Sequence, residues 1–503
     1  MSRLFLVLLL AAAPSGYDQP FRPQFHYSPQ KNWTNDPNGL VYFDGEYHLF
    51  SQYNPLGDQW GHMSWGHAVS PDLVHWKELP VAIPESDGIM IFTGSTVVDE
   101  DNTSGFCTGG KPCLVAVYTG HTPEAKPKPT LQTQNLAYSN DRGRTWTKFS
   151  GNPVLNLNMT DFRDPNVFWS VEARRWIMVV ALPNDHKVRL YGSPDLKRWE
   201  LRSEFGPAGA ADGQWECPDL FEAHVNGPKD ETRWVMKIGI NPGALQGGSG
   251  EQYFVGRFDG TRFVNDNPRS LTLWTDYGKD CYCALTYNGL KQGEAPVILG
   301  WMSNWQYAGK LPTNPWRGQM TAPRRVALER TAEGIRLVQD PVEPLAGLRG
   351  AVASASGKTA EEFTQSLQRI SFPEGLFELQ SEVALASARE VGFKLLASDG
   401  SFSLVSYDKE KQELSVDRTQ SGLVNFSDKF PARTAAPLAL GSEPLRLRIL
   451  VDRSSLEVFA TEGRVAMTNL VFPVRGIQSV QFYAKGGQPG SMHANTWRLR
   501  SIW

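Results

Sequence analysis

Cysteine is scarce, with five residues in a chain of 503. A disulfide framework is therefore excluded as the main source of stability, which must come from a buried core. Long apolar runs are also missing. Beyond Leu4 to Ala13, no segment approaches the roughly 20 apolar residues that a membrane helix needs, so no membrane partner is expected. Neither sign of charge dominates: Lys+Arg is 50, Asp+Glu is 53, and the net charge is −3. That balance leaves no basic field for a nucleic acid or an anionic membrane surface. Cys107 and Cys113 flank a Thr-Gly-Gly-Lys-Pro turn and are placed to close a loop disulfide, whereas Cys281 and Cys283 are too close along a strand-like segment to bond each other well. Neither pair has a second Cys/His pair at zinc spacing, so no metal and no cofactor is expected.

The one apolar run is informative by its position. Arg3 precedes it, and Pro14, Ser15 and Gly16 follow it, which is the pattern of a cleaved signal peptide over residues 1–16. The chain is accordingly expected to be exported, although Pro14 obscures the cleavage site. Aromatic residues reach 11%, including 16 Trp, which suits either a β-rich core or a surface that stacks on sugar rings.

Helical periodicity is rare. Short runs of Val, Ile, Phe, Tyr and Trp alternate with Gly, Pro, Asn and Asp, the texture of an all-β protein. Within it lies a weak repeat. Asp36-Pro37-Asn38-Gly39-Leu40, Asp164-Pro165-Asn166-Val167-Phe168 and Cys217-Pro218-Asp219-Leu220-Phe221 each open a strand. A second apolar strand follows each, at Tyr47 to Tyr53, Trp176 to Leu182 and Trp234 to Ile240. A turn ending in Trp recurs at Ser70 to Trp76, Ser139 to Trp146 and Ser193 to Trp199. Two further units, around Phe92 to Val98 and Cys281 to Tyr287, keep the strand pair without the proline. Five such units over residues 20–340 predict a five-bladed β-propeller whose first strands line a central channel. Residues 341–360, rich in small side chains, read as a linker. Strict alternation at Phe377 to Val383, Leu445 to Val451 and Ser455 to Phe459 predicts a C-terminal β-sandwich over 361–503. Asp408, Asp417 and Arg418 read there as turn and ladder residues.

The repeat itself selects candidate acids. Asp36, Asp164 and Glu216 fall at or just before equivalent points of first strands, and only a closed ring brings residues so distant in sequence together. Each Asp can also serve simply as a turn cap, and three carboxylates can hold a hard cation, though no calcium-type ligand spacing is present. Converging carboxylates raise each other's pKa, a cost expected at a functional site. Two carboxyls flanking a glycosidic bond hydrolyse it with retention at a separation of about 5–5.5 Å, or with inversion at about 6.5–9.5 Å.

At these residues the chain resembles glycoside hydrolase family 32, the invertase, inulinase and levanase family. Trp33-Thr34-Asn35-Asp36-Pro37-Asn38-Gly39 is similar to its W-M-N-D-P-N-G motif, Arg163-Asp164-Pro165 to its R-D-P motif, and Glu216-Cys217 to its E-C motif. The resemblance implies a five-bladed propeller with a β-sandwich, and a secreted, retaining exo-β-fructosidase that acts on inulin, levan or sucrose. It implies that Asp36 is the nucleophile, Glu216 the acid/base, and Asp164 a holder of fructose hydroxyls. Arg163 would balance charge, and Cys217 would tune the acid or simply pack as a small hydrophobe. Asn35, Gln52, Trp60, Phe92, Thr93 and Trp316 would contact the sugar or line its pocket, Trp316 at the floor. Asp280 would sit near the acid/base. Thr34, Thr93, Cys281 and Cys283 depart from the family pattern without removing a reacting group. A fructosyltransferase and a sucrose-restricted invertase are the alternatives.

Overall fold

A computed structural model describes residues 16–124, 129–228, 231–291 and 293–503. The expected leader, residues 1–16, lies outside them apart from Gly16. No helix among the described residues is long and apolar enough to cross a membrane.

The chain is all-β, a propeller followed by a sandwich. Successive units of the first part form antiparallel sheets. Asn32–Phe43 leads the first sheet, Met90–Asp99 the second and Arg163–Ser170 the third. Gln214–Asn226 and Tyr282–Thr286 belong to one nine-stranded sheet, because Val225 and Asn226 pair in parallel with Leu328 and Glu329. The five leading strands touch their neighbours in a closed ring, the fifth against the first. Asn288 ties the ring near its axis: its side-chain amide donates to the carbonyls of Thr96 and Val167, both at 3.0 Å. Trp316–Arg317 pairs in parallel with Asn32–Trp33, so a late segment completes the first sheet.

The recurring Trp-ended turn has a local cause. Asp72 Oδ1 accepts from the N–H groups of Val74 and His75, Asp195 Oδ1 from those of Lys197 and Arg198, and Asp141 Oδ1 from that of Thr145. These Asp-centred turns let one residue in each, Leu73, Arg142 or Leu196, take a left-handed φ.

The sandwich packs a six-stranded sheet on a five-stranded one. Alternating side chains meet between them, among them Leu379, Ile449 and Val458 from one sheet and Phe393, Val405 and Val416 from the other. The segment read as a linker is structured: Glu343–Leu348 is a 3-10 turn and Arg349–Gly357 is the outermost strand of the six-stranded sheet. Its small residues look like a linker in sequence because an edge strand, mostly exposed here, carries no strong apolar pattern.

The two parts are joined by buried charge as well as apolar contact. Arg418, read from sequence as a ladder residue, is completely buried and donates to Asp280 Oδ2, which also accepts from the Leu470 N–H at 2.8 Å. The Tyr307 hydroxyl donates to Asp280 Oδ1. Nearby, Arg324 bridges Asp276 and Glu457, each at 2.8 Å. Removing one partner of such a pair strands the other charge in a low-dielectric interior, at a cost of about 3–5 kcal/mol, whereas replacing both is far milder. We therefore expect Arg418→Met to lower the unfolding free energy by about that amount, and Asp280→Asn with Arg418→Met to recover most of it. Denaturant unfolding of the two singles and the double tests this; additive losses would show that the pair is not coupled.

Candidate active site

Each of the five leading strands breaks register with its neighbour, the first of them twice, the second time between Asn38 and Val41. The irregularities fall between Thr34 and Pro37, Ile91 and Gly94, Arg163 and Asn166, Glu216 and Asp219, and Tyr282 and Leu285. A bulge leaves ladder bonds unmade and re-aims the side chains beside it. Proline, which has no N–H to lose, is accordingly tolerated at Pro37, Pro165 and Pro218. The backbone turns left-handed at Asp164, Cys217 and Cys283, with φ of 64°, 48° and 47°.

These bulges deliver the predicted acids to one buried locus. Asp36 and Asp164 are 6% and 4% exposed. Asp36 Oδ2 accepts from Thr93 Oγ1 at 2.8 Å and from Gln52 Nε2 at 3.1 Å. Asp164 Oδ2 accepts from the Cys217 N–H at 2.9 Å. Glu216 Oε1 accepts from Arg163 Nε at 3.1 Å and Nη2 at 3.0 Å, and Oε2 accepts from the Tyr282 hydroxyl. Cys217 Sγ lies 3.9 Å from Asp36 Oδ2, which links the loci of all three acids. Asn35 accepts from Trp33 Nε1 at 2.7 Å, while its own Nδ2 and Asp36 Oδ1 are buried without a partner.

Burial pushes the Asp36 carboxyl up to about 7, assisted by the negative charge of Glu216 and opposed by the Thr93 hydrogen bond. Burial also raises Asp164 to about 7; Arg163 pulls it down, and Glu216 and Asp36 push it further up. Burial works against the Arg163 charge, but Glu216, Asp164 and Asp161 outweigh it and hold the guanidinium protonated.

At the mouth, Trp60 is 46% exposed and meets the Phe92 ring edge-on at 5.9 Å, and Phe92 stacks on His121 at 4.3 Å. One candidate, Asp280, is engaged elsewhere. Asp280 spends both carboxylate oxygens on the interface with the sandwich. Tyr282, two residues on, is the side chain that reaches Glu216. Trp316 is fully buried beside the start of the Asp36 strand with the Arg22 guanidinium stacked on it at 3.7 Å; among the described residues it has no hydrogen bond to the acids.

Cys217 is neither a tuning thiol nor a free hydrophobe: it is bonded to Cys283. Cys107 and Cys113 are bonded too, and Cys281 is free and buried. Asp36 with Cys217 and Cys283, and Asp99 with Cys107 and Cys113, cluster closely enough to suggest metal ligands, but joined sulfurs offer no thiolate. Sequence reasoning also missed the Arg163 supports, Asp161 at 2.8 Å and Gln214 at 2.9 Å. It missed Thr119, which accepts the Asp164 N–H at 2.9 Å. Gln132 and Gln134 were a usable signal, since two glutamines alternate on the buried strand Leu131–Ser139 and both bond Phe162 backbone groups.

The description "Glycosyl hydrolases family 32 N-terminal domain" matches residues 26–341, and "Glycosyl hydrolases family 32 C terminal" matches residues 345–498. The chain belongs to glycoside hydrolase family 32. It is 44% identical to the levanase of Bacillus subtilis (strain 168), over 98% of this chain and 72% of the levanase. It is 42% identical to the extracellular exo-inulinase of Aspergillus niger, over 97% of this chain and 96% of the relative. The crystal structure of exo-inulinase from Aspergillus awamori is similar with a TM-score of 0.90 at 40% identity, over 97% of this chain and 100% of that one. The β-fructofuranosidase of Schwanniomyces occidentalis complexed with fructosyl-erythritol gives 0.85 at 34%, over 95% and 98%. As a member of family 32 the protein is a glycoside hydrolase.

The raised carboxyls of this family 32 enzyme have a stability consequence. With Asp36 held at about 7 against an ordinary value near 3.8, the unfolded chain ionises first. Stability is therefore lost as pH rises from about 4 to about 7 and stays lost above that. Asp36→Asn cannot ionise. We expect its unfolding free energy to match wild type near pH 4 and to exceed it increasingly up to pH 7–8, by a few kcal/mol, with the melting temperature rising in step. A pH series of thermal melts checks it, and a constant difference would contradict it.

Proposed function

We propose that the protein is an exported, retaining exo-β-fructosidase that releases terminal fructose from inulin, levan and sucrose through a fructosyl-enzyme intermediate. The observation that carries the reading is the buried locus where Asp36 meets Thr93, Gln52 and Cys217 while Glu216 is held by Arg163 and Tyr282. Export is supported by the Leu4 to Ala13 leader and by an extracellular relative.

In this reading Asp36 attacks the anomeric carbon, with Thr93 and Gln52 fixing one carboxylate oxygen and Oδ1 free to bond carbon. Glu216 protonates the departing oxygen, then takes a proton from the water that cleaves the fructosyl-enzyme. The two roles require opposite protonation states, and the site couples them. The charge of Glu216 helps hold Asp36 up, so a proton on Glu216 makes Asp36 easier to ionise. Asp164 and Asn35 bind fructose hydroxyls, contacts that strengthen as positive charge develops on the ring. Arg163 keeps the locus from carrying three uncompensated negative charges. Trp60, beside Phe92, offers an exposed aromatic face to a sugar ring at the mouth. A site at the end of a channel admits a chain terminus, which favours exo cleavage.

The test is product analysis on sucrose, inulin and levan, with Asp36→Asn and Glu216→Gln beside wild type. Wild type should release fructose as the only small product from the first turnovers, each fructan chain shortening by one unit at a time, and each variant should lose on the order of 10³-fold or more in kcat/KM. Proton NMR of the first turnovers should show the β-anomer. Short fructo-oligosaccharides released ahead of fructose would make the enzyme endo-acting, trisaccharides at high sucrose a transferase, and an α-anomer an inverting one.

A further inference from the structure

The strands carrying Glu216 and Tyr282 have no backbone ladder between them: Gln214–Asn226 pairs with Thr232–Asn241 and Arg324–Thr331, and Tyr282–Thr286 with Val297–Trp301. They meet instead through side chains, in step. Tyr282 donates to Glu216, Cys283 bonds Cys217, and Thr286 donates from its N–H to Asp219 Oδ2 at 2.8 Å. The disulfide is the covalent member of this series. It sits next to the acid/base on one strand and next to that residue's phenol partner on the other, across 66 residues of sequence. It lies within both bulges, where ladder bonds are missing and both cysteines are left-handed. Its Cys217 end also sets the N–H that Asp164 accepts. Opposite Glu216, Gly239 leaves room for the Tyr282 ring, which a Cβ there would approach to 3.0 Å.

The same bond changes what faces Asp36. Sγ of Cys217 is 3.9 Å from Asp36 Oδ2, within reach for a thiol donor, but a disulfide sulfur has no proton to give. The titratable groups facing Asp36 are then Glu216, Asp164 and Tyr282, with Arg163 paired to Glu216.

We propose that the Cys217–Cys283 disulfide is the positioning element of the acid/base: it fixes the Glu216 strand against the Tyr282 strand, and it withholds from Asp36 a sulfur donor that a free Cys217 would supply. This rests on the roles proposed above for Asp36 and Glu216. Full activity thus belongs to the oxidised chain.

Digestion without reduction should yield the Cys217 and Cys283 peptides as one linked species, with Cys281 the single alkylatable thiol. Cys217→Ala with Cys283→Ala should lower kcat about 10- to 100-fold with a smaller change in KM, because the acid/base is displaced rather than binding removed. Cys283→Ala alone leaves the Cys217 thiol. Its kcat should fall similarly, and the acid limb of its kcat/KM profile should move to lower pH relative to the double variant, since an S–H donor favours ionised Asp36. Cys107→Ala with Cys113→Ala controls for loss of a disulfide as such and should leave both readouts unchanged. Unlinked peptides, a double variant with wild-type kcat, or the same acid limb in the single and double variants would overturn the proposal. If the double variant is too unstable to assay, the peptide map and the acid limb of Cys283→Ala against that of wild type, expected at lower pH for the variant, decide it. Wild type inert toward sucrose, inulin and levan would remove the acid/base assignment itself; an active wild type beside unaffected cysteine variants overturns the disulfide's role alone.

Discussion

A strand that leaves its ladder must find new partners for the backbone groups it frees, and in this ring they come from neighbouring units. The Asp164 N–H goes to Thr119, the Cys217 N–H to Asp164, and the Val167 N–H to Ser95. The Ala284 N–H goes to Glu251. The bulges of the third, fourth and fifth units are thus satisfied only when the preceding unit is in place. Catalytic geometry and ring closure are one requirement here, since the bonds that orient the acids are the bonds that join the units.

The charge balance follows from the same arrangement. Burial alone would leave Asp36 and Asp164 neutral, and their mutual repulsion with Glu216 pushes the same way. Arg163 is the countercharge within the locus, and its orientation is secured by Asp161 and Gln214 as well as by Glu216. A second set of buried charges, Asp280 with Arg418 and Arg324 with Asp276 and Glu457, stands between propeller and sandwich. The two sets differ in purpose. Asp280 and Arg418 leave no buried polar atom without a partner, whereas the channel keeps Asp36 Oδ1 and Asn35 Nδ2 without partners.

What was legible in the sequence was whatever has a local cause. Proline one residue after Asp36, Asp164 and Cys217 is readable because a bulge excuses its missing N–H. The Trp-ended turns are readable because an Asp organises each one within a few residues. What was not legible depends on distant partners. Cys217 and Cys283 pair only after the ring brings the fourth and fifth units together, so neighbouring Cys281 and Cys283 were compared with each other instead. Asp280 and Tyr282 share one short segment, and nothing local says which faces the channel and which faces the sandwich. Arg418 has the context of a ladder residue, and its role comes entirely from Asp280 in the other domain.

Trp316–Arg317 completing the sheet that begins at Asn32–Trp33 has a consequence for biosynthesis. During translation the strand carrying Asp36 emerges early, but its sheet lacks a strand until residue 316 has left the ribosome. The first sheet is thus complete only once residue 316 has been added, after all three acids, at 36, 164 and 216, have been made.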